Sequence, residues 1–440
     1  MTTGVLERRR QPDVSRRAER QQVARLRLVA ASSPGGDEPR EDSKVATRAP
    51  RSSRSVAVAA RRDAAALVAL VVGFCVFGLV MVLSSSSVES IANYGSPWSI
   101  FEHQGAWMAV GAVAFVLAAR LPLQFWRRLA VPFFLGTFVL LIGVLVRGIG
   151  TVAAGSSRWI GLGPLRVQPS EFAKFAAVLF VADLLARRVG PAGPRANVVR
   201  PVLIALAVLG ILIVRQPDLG TTAVIAVIGA VLLYASGAPL RKIAAVAAVF
   251  VVLAGAFFLV EPYGRARLLA FWNPFAHAST TGYQVVQSLV TLGSGHIFGT
   301  GLGGSPAAWG FLPNANSDFI FAIIGNNFGL IGAIGVLCGF VAIGWLGLRV
   351  ARRSEDRFAS LVAIGVTTWI VVQAFINIAG VVGVLPETGI PLPFLSSGGS
   401  SLVVLLVASG LLVRIAGHPE VKTRSAIAEQ RERQRARMAR

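Results

Sequence analysis

The sequence predicts an all-α integral membrane protein with about ten transmembrane helices. Three observations carry that reading. Hydrophobic residues make up 54% of the 440 and charged residues only 15%, and the mean hydropathy is +0.65. Apolar runs long enough to cross about 30 Å of hydrocarbon recur along the chain. Most of the 43 Lys and Arg avoid every second connection between those runs.

The runs fall near residues 64–84, 104–119, 129–146, 171–186, 201–214, 220–236, 243–260, 319–348, 359–383 and 399–415. The fifth is short. The eighth is long enough for its first third to form a separate re-entrant or interfacial helix. About sixty polar and basic residues precede the first run, so no signal peptide is expected and that run serves as the membrane signal. Cys75 and Cys338 fall inside apolar runs, where a thiol behaves as a small hydrophobe, so neither a disulfide nor a metal site is expected.

A formal charge of +22 would suit a nucleic-acid partner, but its distribution argues against one. With the N-terminus inside, nearly all Lys and Arg lie on the cytoplasmic side, as the positive-inside rule requires, and both termini are cytoplasmic. Residues 1–62 and 417–440 read as disordered basic tails flanking a membrane domain at 63–416. Attraction to anionic lipid is their simplest role, with partner docking as the alternative.

The basic residues left on the far side or at its rim are Arg147, Arg158, Arg166, Lys174, Arg215, Arg265 and Arg267. The longest far-side connection, about 57 residues from Glu261 to Ser317, lies between the seventh and eighth runs; a long loop in a compact protein is more often functional than decorative.

Asp318 stands at the mouth of the eighth run. It reads either as a helix N-cap or as a general base or cation partner, because ionisable groups near hydrocarbon are costly. Lys174 and Asp218 sit at the same end of the fourth and sixth runs, which suggests a buried ion pair, with direct substrate contact as the alternative. Arg158, Arg265 and Arg267 could each fork onto a phosphate or carboxylate, and three of them in sparsely charged loops suggest an anionic substrate. The glycines of GSGHIFGTGLGGS (Gly293–Ser305) follow no strand, so they read as turn formers rather than a nucleotide fingerprint. Pro391 and Pro393 should break any helix there, leaving irregular backbone that is tolerable only inside protein or beside water. His103, His277, His296 and His418 show no metal-ligand spacing.

The text SSRWIGLGPLRVQPSEFAK, QPDLGTT, RARLLAFWNP, GYQVVQS, GTGLGGS, LPNANSDFIFAIIG and NIAGVVGVLPETGIPLPFLSSGGSS resembles the SEDS family of shape, elongation, division and sporulation proteins, over about residues 64–416. The resemblance implies a ten-span peptidoglycan glycosyltransferase that polymerises lipid II at the outer face of the bacterial cytoplasmic membrane, with a class B penicillin-binding protein as transpeptidase partner and other divisome proteins around it. It implies that Asp318 is the essential carboxylate and that Lys174 and Asp218 are a charged pair of the cavity. It places Arg158, Arg265, Arg267, Gln284 and Ser400 in motifs that would contact substrate. The wording leans towards the division branch, working at the septum, rather than the elongation branch.

Chemistry follows from the bond. A sugar hydroxyl is a weak nucleophile, so a positioned carboxylate should take its proton, and fixed cations should stabilise the leaving lipid diphosphate. An α-linked donor giving a β-linked polymer implies one inverting displacement. A lipid II flippase needs polar groups along its whole path, whereas the informative residues here cluster at one face; a non-catalytic scaffold would tolerate replacement of Asp318.

The chain departs from the family's pattern near Asp318. Where many members read LPEAHTDF it has Asn314 and Asn316, and it has Asn326 and Asn327 where members tend to carry two acids, and Ser397 where they carry Tyr. Fewer acids imply a less elevated Asp318 pKa than in relatives and put in question any divalent cation, whose use the sequence does not reveal.

Overall fold

The structure is a computed structural model that describes residues 53–418, apart from 147, 149, 154–155, 163–164, 191–192, 195–197, 261 and 305–309. The tails expected at 1–62 and 417–440 therefore lie largely outside the described residues. Residues 53–62 do not: they already belong to the first helix.

In chain order the helices are α1 (Ser53–Tyr94), α2 (Ser99–Arg120), α3 (Leu123–Leu145), α4 (Pro169–Arg188), α5 (Val199–Val214), α6 (Leu219–Ala235), α7 (Leu240–Val260), α8 (Pro262–Trp272), α9 (Tyr283–Ser294), α10 (Ile320–Arg353), α11 (Arg357–Val381) and α12 (Gly399–Gly417). Each of the ten apolar runs is a helix. Among the described residues six helices, α1, α2, α3, α10, α11 and α12, are long and apolar enough to cross a membrane, while α5 and α6 are shorter apolar helices. The chain is an all-helical multi-span membrane protein.

Small β elements, which hydropathy did not reveal, punctuate the connections. Strands β1 (Gly150–Ala153), β2 (Ser156–Leu162) and β3 (Leu165–Val167) form an antiparallel meander in which Ile160 pairs with Val167 and Gly161 with Arg166. β4 (Val189–Gly190) and β5 (Gly193–Pro194) make a minimal hairpin.

The centre of the bundle is set by burial. α11 and α12 bury 67% and 72% of their most apolar stretch inside the protein, against 11% in α2. Among the largest fully buried side chains are Trp369 of α11 and Lys174 of α4. At the end opposite the long 261–319 connection, Asp63 of α1 pairs with Arg349 and Arg353 of α10, and Asp183 of α4 accepts from Arg127 of α3 at 3.0 Å. These pairs lower the cost of carboxylates held 3–4% exposed.

α10 divides as the length of its run suggested. At 34 residues it would be about 51 Å long if straight. It kinks at Gly329 (φ 65°, ψ −160°). Residues 320–327 before the kink are buried, and outward-facing residues begin at Leu330.

α2 and α12 pack through reciprocal glycines, as membrane helices do where backbones must approach closely. A Cβ on Gly111 would lie 2.5 Å from Leu406 Cδ1, and one on Gly410 would lie 2.3 Å from the Phe115 carbonyl oxygen. Backbone leaves no rotamer to relieve the second clash. Gly410→Leu should therefore destabilise the protein by about 1–3 kcal/mol, read as a lowered unfolding midpoint of the detergent-solubilised chain; an unchanged midpoint would refute this account of the α2–α12 contact.

Candidate active site

The site is built on a non-helical segment that runs back into the bundle. After α11 the chain continues from Val382 to Gly398 without helix, and Ile390, Leu392, Phe394 and Leu395 within it are buried. Pro391 and Pro393 forbid helix as expected. Such backbone survives away from water only if its polar groups are satisfied. α11 supplies two amides for this at i and i+4: Gln373 Nε2 donates to the Pro391 carbonyl at 2.9 Å and Asn377 Nδ2 donates to that of Ile390 at 2.8 Å.

The same segment grips the residues before α10. The Ser397 N–H donates to the Asn316 carbonyl at 2.8 Å, Ser396 Oγ donates to that of Ser317 at 2.6 Å, and Asn377 Nδ2 donates to that of Asp318 at 2.7 Å. Three consecutive carbonyls are thus held, and the direction of the Asp318 side chain follows. Asp318 does not cap α10, contrary to one of the two readings of its position: Phe319 occupies the N-cap place and makes no side-chain cap bond. The clamp fixes the chain one residue too early for the carboxylate to reach the helix amides.

The Asp318 carboxyl faces Arg267 and Glu387. A Cβ on Gly389, which has φ of +67°, would lie 3.6 Å from Asp318 Oδ2 and 3.8 Å from Arg267 Nη1, so the glycine keeps both within reach of one point. Arg267 of α8 donates from Nη1 to the Glu387 carbonyl at 3.1 Å and from Nη2 to Glu387 Oε1 at 3.3 Å. Gln284 of α9, with its amide nitrogen turned to the carboxylate, donates to both Glu387 oxygens at 3.0 Å. The Asp318 pKa is raised to about 7: burial is the largest cause and the neighbouring Glu387 charge the next, Arg267 and Arg158 pull it down, and Asp218 adds a small upward push. Burial likewise raises Glu387, opposed by Arg267.

Below this cluster opens a cavity of about 470 Å³ between α6, α7, α8 and α11, with Arg267 and Glu387 on its wall and Ala223, Ala226, Ala247 and Phe250 among its apolar lining. A charged wall on an apolar chamber suits a ligand with an anionic head and a hydrocarbon tail.

The remaining expected residues are placed less directly. Lys174 and Asp218 do not form the expected ion pair. Lys174 Nζ, fully buried, lies 2.7 Å from Glu171 Oε1 and 2.8 Å from Gln373 Oε1, with the Trp369 ring at 5.5 Å. The reason is local: a helical side chain leans towards the N-terminus, where Glu171 stands one turn away. Asp218 instead caps α6, accepting from the Thr221 N–H at 3.0 Å, and accepts from Ser170 Oγ at 3.0 Å.

Arg158 on β2 donates to the Gln216 carbonyl at 2.8 Å and also to that of Pro217, so its fork holds the backbone ahead of Asp218. Arg265 is exposed on α8. Ser400 accepts from the Gln168 N–H at 3.2 Å, tying α12 to the start of α4. Of the three arginines, Arg267 alone borders the cavity beside Asp318.

Three of the four Asn residues that depart from the family pattern hydrogen-bond to other parts of the chain. Asn326 Nδ2 donates to the Thr291 carbonyl and to Ser294 Oγ, Asn327 donates to Ser84 Oγ, and Asn316 donates to Glu89. Among the described residues no group of three or more His, Cys, Asp or Glu could hold a metal ion.

Sequence reasoning did not single out Glu387, Gln373 or Asn377. The two amides had a signal, a polar pair at i and i+4 inside an apolar run. Glu387 had none beyond its motif, because nothing local ties it to Asp318.

A multi-span helical bundle with a partly buried carboxylate clamped at one end, near an apolar chamber, defines the class: a multi-span membrane protein with a candidate site at one end of the bundle. Residues 65–420 match the family described as Cell cycle protein, FtsW/RodA/SpoVE, and the chain belongs to that family. It is 40% identical over 341 residues to a Mycobacterium tuberculosis protein named Probable peptidoglycan glycosyltransferase FtsW, covering 78% of this chain but only 65% of that relative. A protein of the same name from Geobacter metallireducens is 36% identical over 348 residues, covering 79% of this chain and 92% of the relative. In fold it matches a chain from a solved peptidoglycan synthase complex (TM-score 0.67, 24% identity, 81% and 98% of the two chains), and the rod shape determining protein RodA of Thermus thermophilus (TM-score 0.60, 23% identity, 80% and 96%).

The Lys174 network has a measurable consequence. Lys174→Met should strand Glu171 as a buried unpaired carboxylate and cost about 3–5 kcal/mol, whereas Glu171→Gln with Lys174→Met should recover most of that loss. Denaturant unfolding of the two variants checks it; equal losses would mean the pair is not the interaction at stake.

Proposed function

We propose that the chain is a peptidoglycan glycosyltransferase that polymerises lipid II in septal cell-wall synthesis. One observation carries the reading: a carboxyl whose proton affinity lies near neutrality is held by three backbone clamps beside a guanidinium at the wall of an apolar chamber. The names of the relatives at 33–40% identity support it. Orientation follows from charge: Arg127, Arg187, Arg349 and Arg353 gather at the end opposite the long connection, so that end is cytoplasmic and Asp318 faces outward.

In this reading the chamber takes the first part of the lipid tail, and Arg267, with Arg265 nearby, meets the diphosphate. The acceptor sugar hydroxyl presents its proton to ionised Asp318 and attacks the anomeric carbon of the growing strand. The bond to the lipid diphosphate breaks as the new one forms, and guanidinium charge stabilises the anion that departs. Inversion in one step needs no covalent sugar intermediate. Glu387, fixed by Gln284 and Arg267, holds that guanidinium in place and keeps Asp318 basic enough to accept a proton. Lys174, Glu171 and Asp218 support the wall. A class B penicillin-binding protein is the proposed partner, in keeping with the synthase complex whose chain shares this fold.

Purified chain, with and without that partner, tests the assignment on a gel of lipid II polymerisation. Asp318→Asn should lose glycan ladders by about 10²–10⁴-fold while its melting curve stays wild type. Ladders from the variant would remove Asp318 from the chemistry; none from either protein, even with the partner, would favour a scaffold.

The pH profile supplies a second check. A base works only when ionised, so a carboxyl raised to about 7 makes the rate fall as pH drops through neutrality. Glu387→Gln removes a negative neighbour, lowers the Asp318 pKa and should move that acid limb to lower pH. A limb that stays in place would sever Glu387 from Asp318.

A further inference from the structure

The glycine-rich stretch after α9 folds into a tip pinned to α10 at its kink. The Leu330 N–H donates to the His296 carbonyl at 3.0 Å, and the Thr300 and Gly301 N–H groups donate to the carbonyls of Asn326 and Asn327 at 2.9 and 3.0 Å. Gly299 and Gly329 allow this approach: a Cβ on Gly299 would lie 2.2 Å from the Asn327 carbonyl oxygen, and one on Gly329 would lie 2.3 Å from that of Ile297.

The large apolar side chains at this tip are exposed, while the Thr300 hydroxyl turns back to Asn326. Ile297 is 56% exposed, Phe298 80% and Leu302 58%. Between Gly293 and Gly304 there is no Lys, Arg, Asp or Glu. An aromatic this exposed on a neutral loop is anomalous if water is its surroundings.

α10 gives the depth of the tip. Its outward face begins at Leu330 and Ile331 and continues through Ile334, Leu337, Val341, Trp345 and Leu348. From Leu330 to Arg349, the first arginine at the other end, the helix rises about 29 Å, the thickness of the hydrocarbon core. Leu330 therefore marks one edge of that core, and the tip is hydrogen-bonded to α10 at this edge. A cleft of about 340 Å³ between the tip and α1, lined by Val80, Leu83, Val88 and Leu302 with the hydroxyls of Ser84 and Ser87, opens beside it. Backbone entering lipid must be internally satisfied, and the N–H groups of Gly299, Thr300 and Gly301 are.

The geometry points to a lipid-inserted anchor: Ile297, Phe298 and Leu302 enter the leaflet on the side of the long connection, and acyl chains fill the cleft against α1. The anchor continues the lipid-facing surface of α10 and is independent of the reaction proposed above. Through α9 and the first turns of α10 it fixes the height of the long connection, and of Asp318, over the bilayer. An interfacial group of this kind gains from burying an aromatic at the headgroup boundary.

The full chain in lipid nanodiscs, with Cys338→Ser to remove the exposed thiol and Phe298→Cys carrying a nitroxide, tests this. Oxygen collisions should exceed those of a water-soluble nickel chelate, as for a label at Trp345→Cys in the span. Collisions dominated by the chelate would place the tip in water and overturn the proposal. The unaltered chain gives an independent reading: vesicles of phosphatidylglycerol with a diazirine on the acyl chain should label residues 295–303 as well as the outward face of α10. Labelling confined to α10 would overturn it, and so would protection of the tip only when a partner protein is added.

Discussion

The constraint on which this structure depends is that polar atoms inside an apolar bundle must find partners within the protein. The non-helical segment after α11 could not lie among helices unless its carbonyls were met, and Gln373 and Asn377 meet them. Asn377 donates to both the Ile390 and the Asp318 carbonyls, so one side chain joins the buried segment to the turn bearing the candidate base. Gln373 does the same on the other side, since its Oε1 accepts from Lys174 and from Trp369 Nε1. Satisfaction and positioning are a single set of hydrogen bonds.

Two ionisable groups in this framework are treated in opposite ways. Lys174 has its counter-charge at 2.7 Å, so its electrostatics are settled internally. Asp318 has Arg267 and Arg158 near enough to lower its pKa but not enough to offset burial and the Glu387 charge. A charge fully neutralised by the fold serves the fold; one left partly uncompensated is available to a ligand. The acids absent at 314, 326 and 327 thus do not leave Asp318 with an ordinary proton affinity, because Glu387 reaches it from a distant part of the chain.

The kink at Gly329 links the site to the membrane. Before it, α10 is wrapped in protein and ends at the clamped turn of Asp318; after it, the helix faces outward. A straight helix of this length would carry its first turns about 15 Å beyond the hydrocarbon edge with no neighbour for their apolar side chains. Breaking at a glycine lets the glycine-rich tip take over the interrupted hydrogen bonds, and the buried half of the helix becomes a pedestal for the carboxylate.

By itself the sequence determined the membrane class, the ten helical runs and the division of α10, because hydropathy and period report how each helix meets its surroundings. Ordered motifs determined the family. Only the tertiary structure decided which polar groups meet. Lys174 and Asp218 lie on adjacent helices at one end and looked like partners, yet side-chain lean gave Lys174 to Glu171 and left Asp218 to cap α6. Glu387 stands more than a hundred residues from both Arg267 and Gln284, and no local pattern announces that they meet. The angles and offsets at which helices pack set those encounters, and that information lies in the fit of side chains across the bundle, not along the chain.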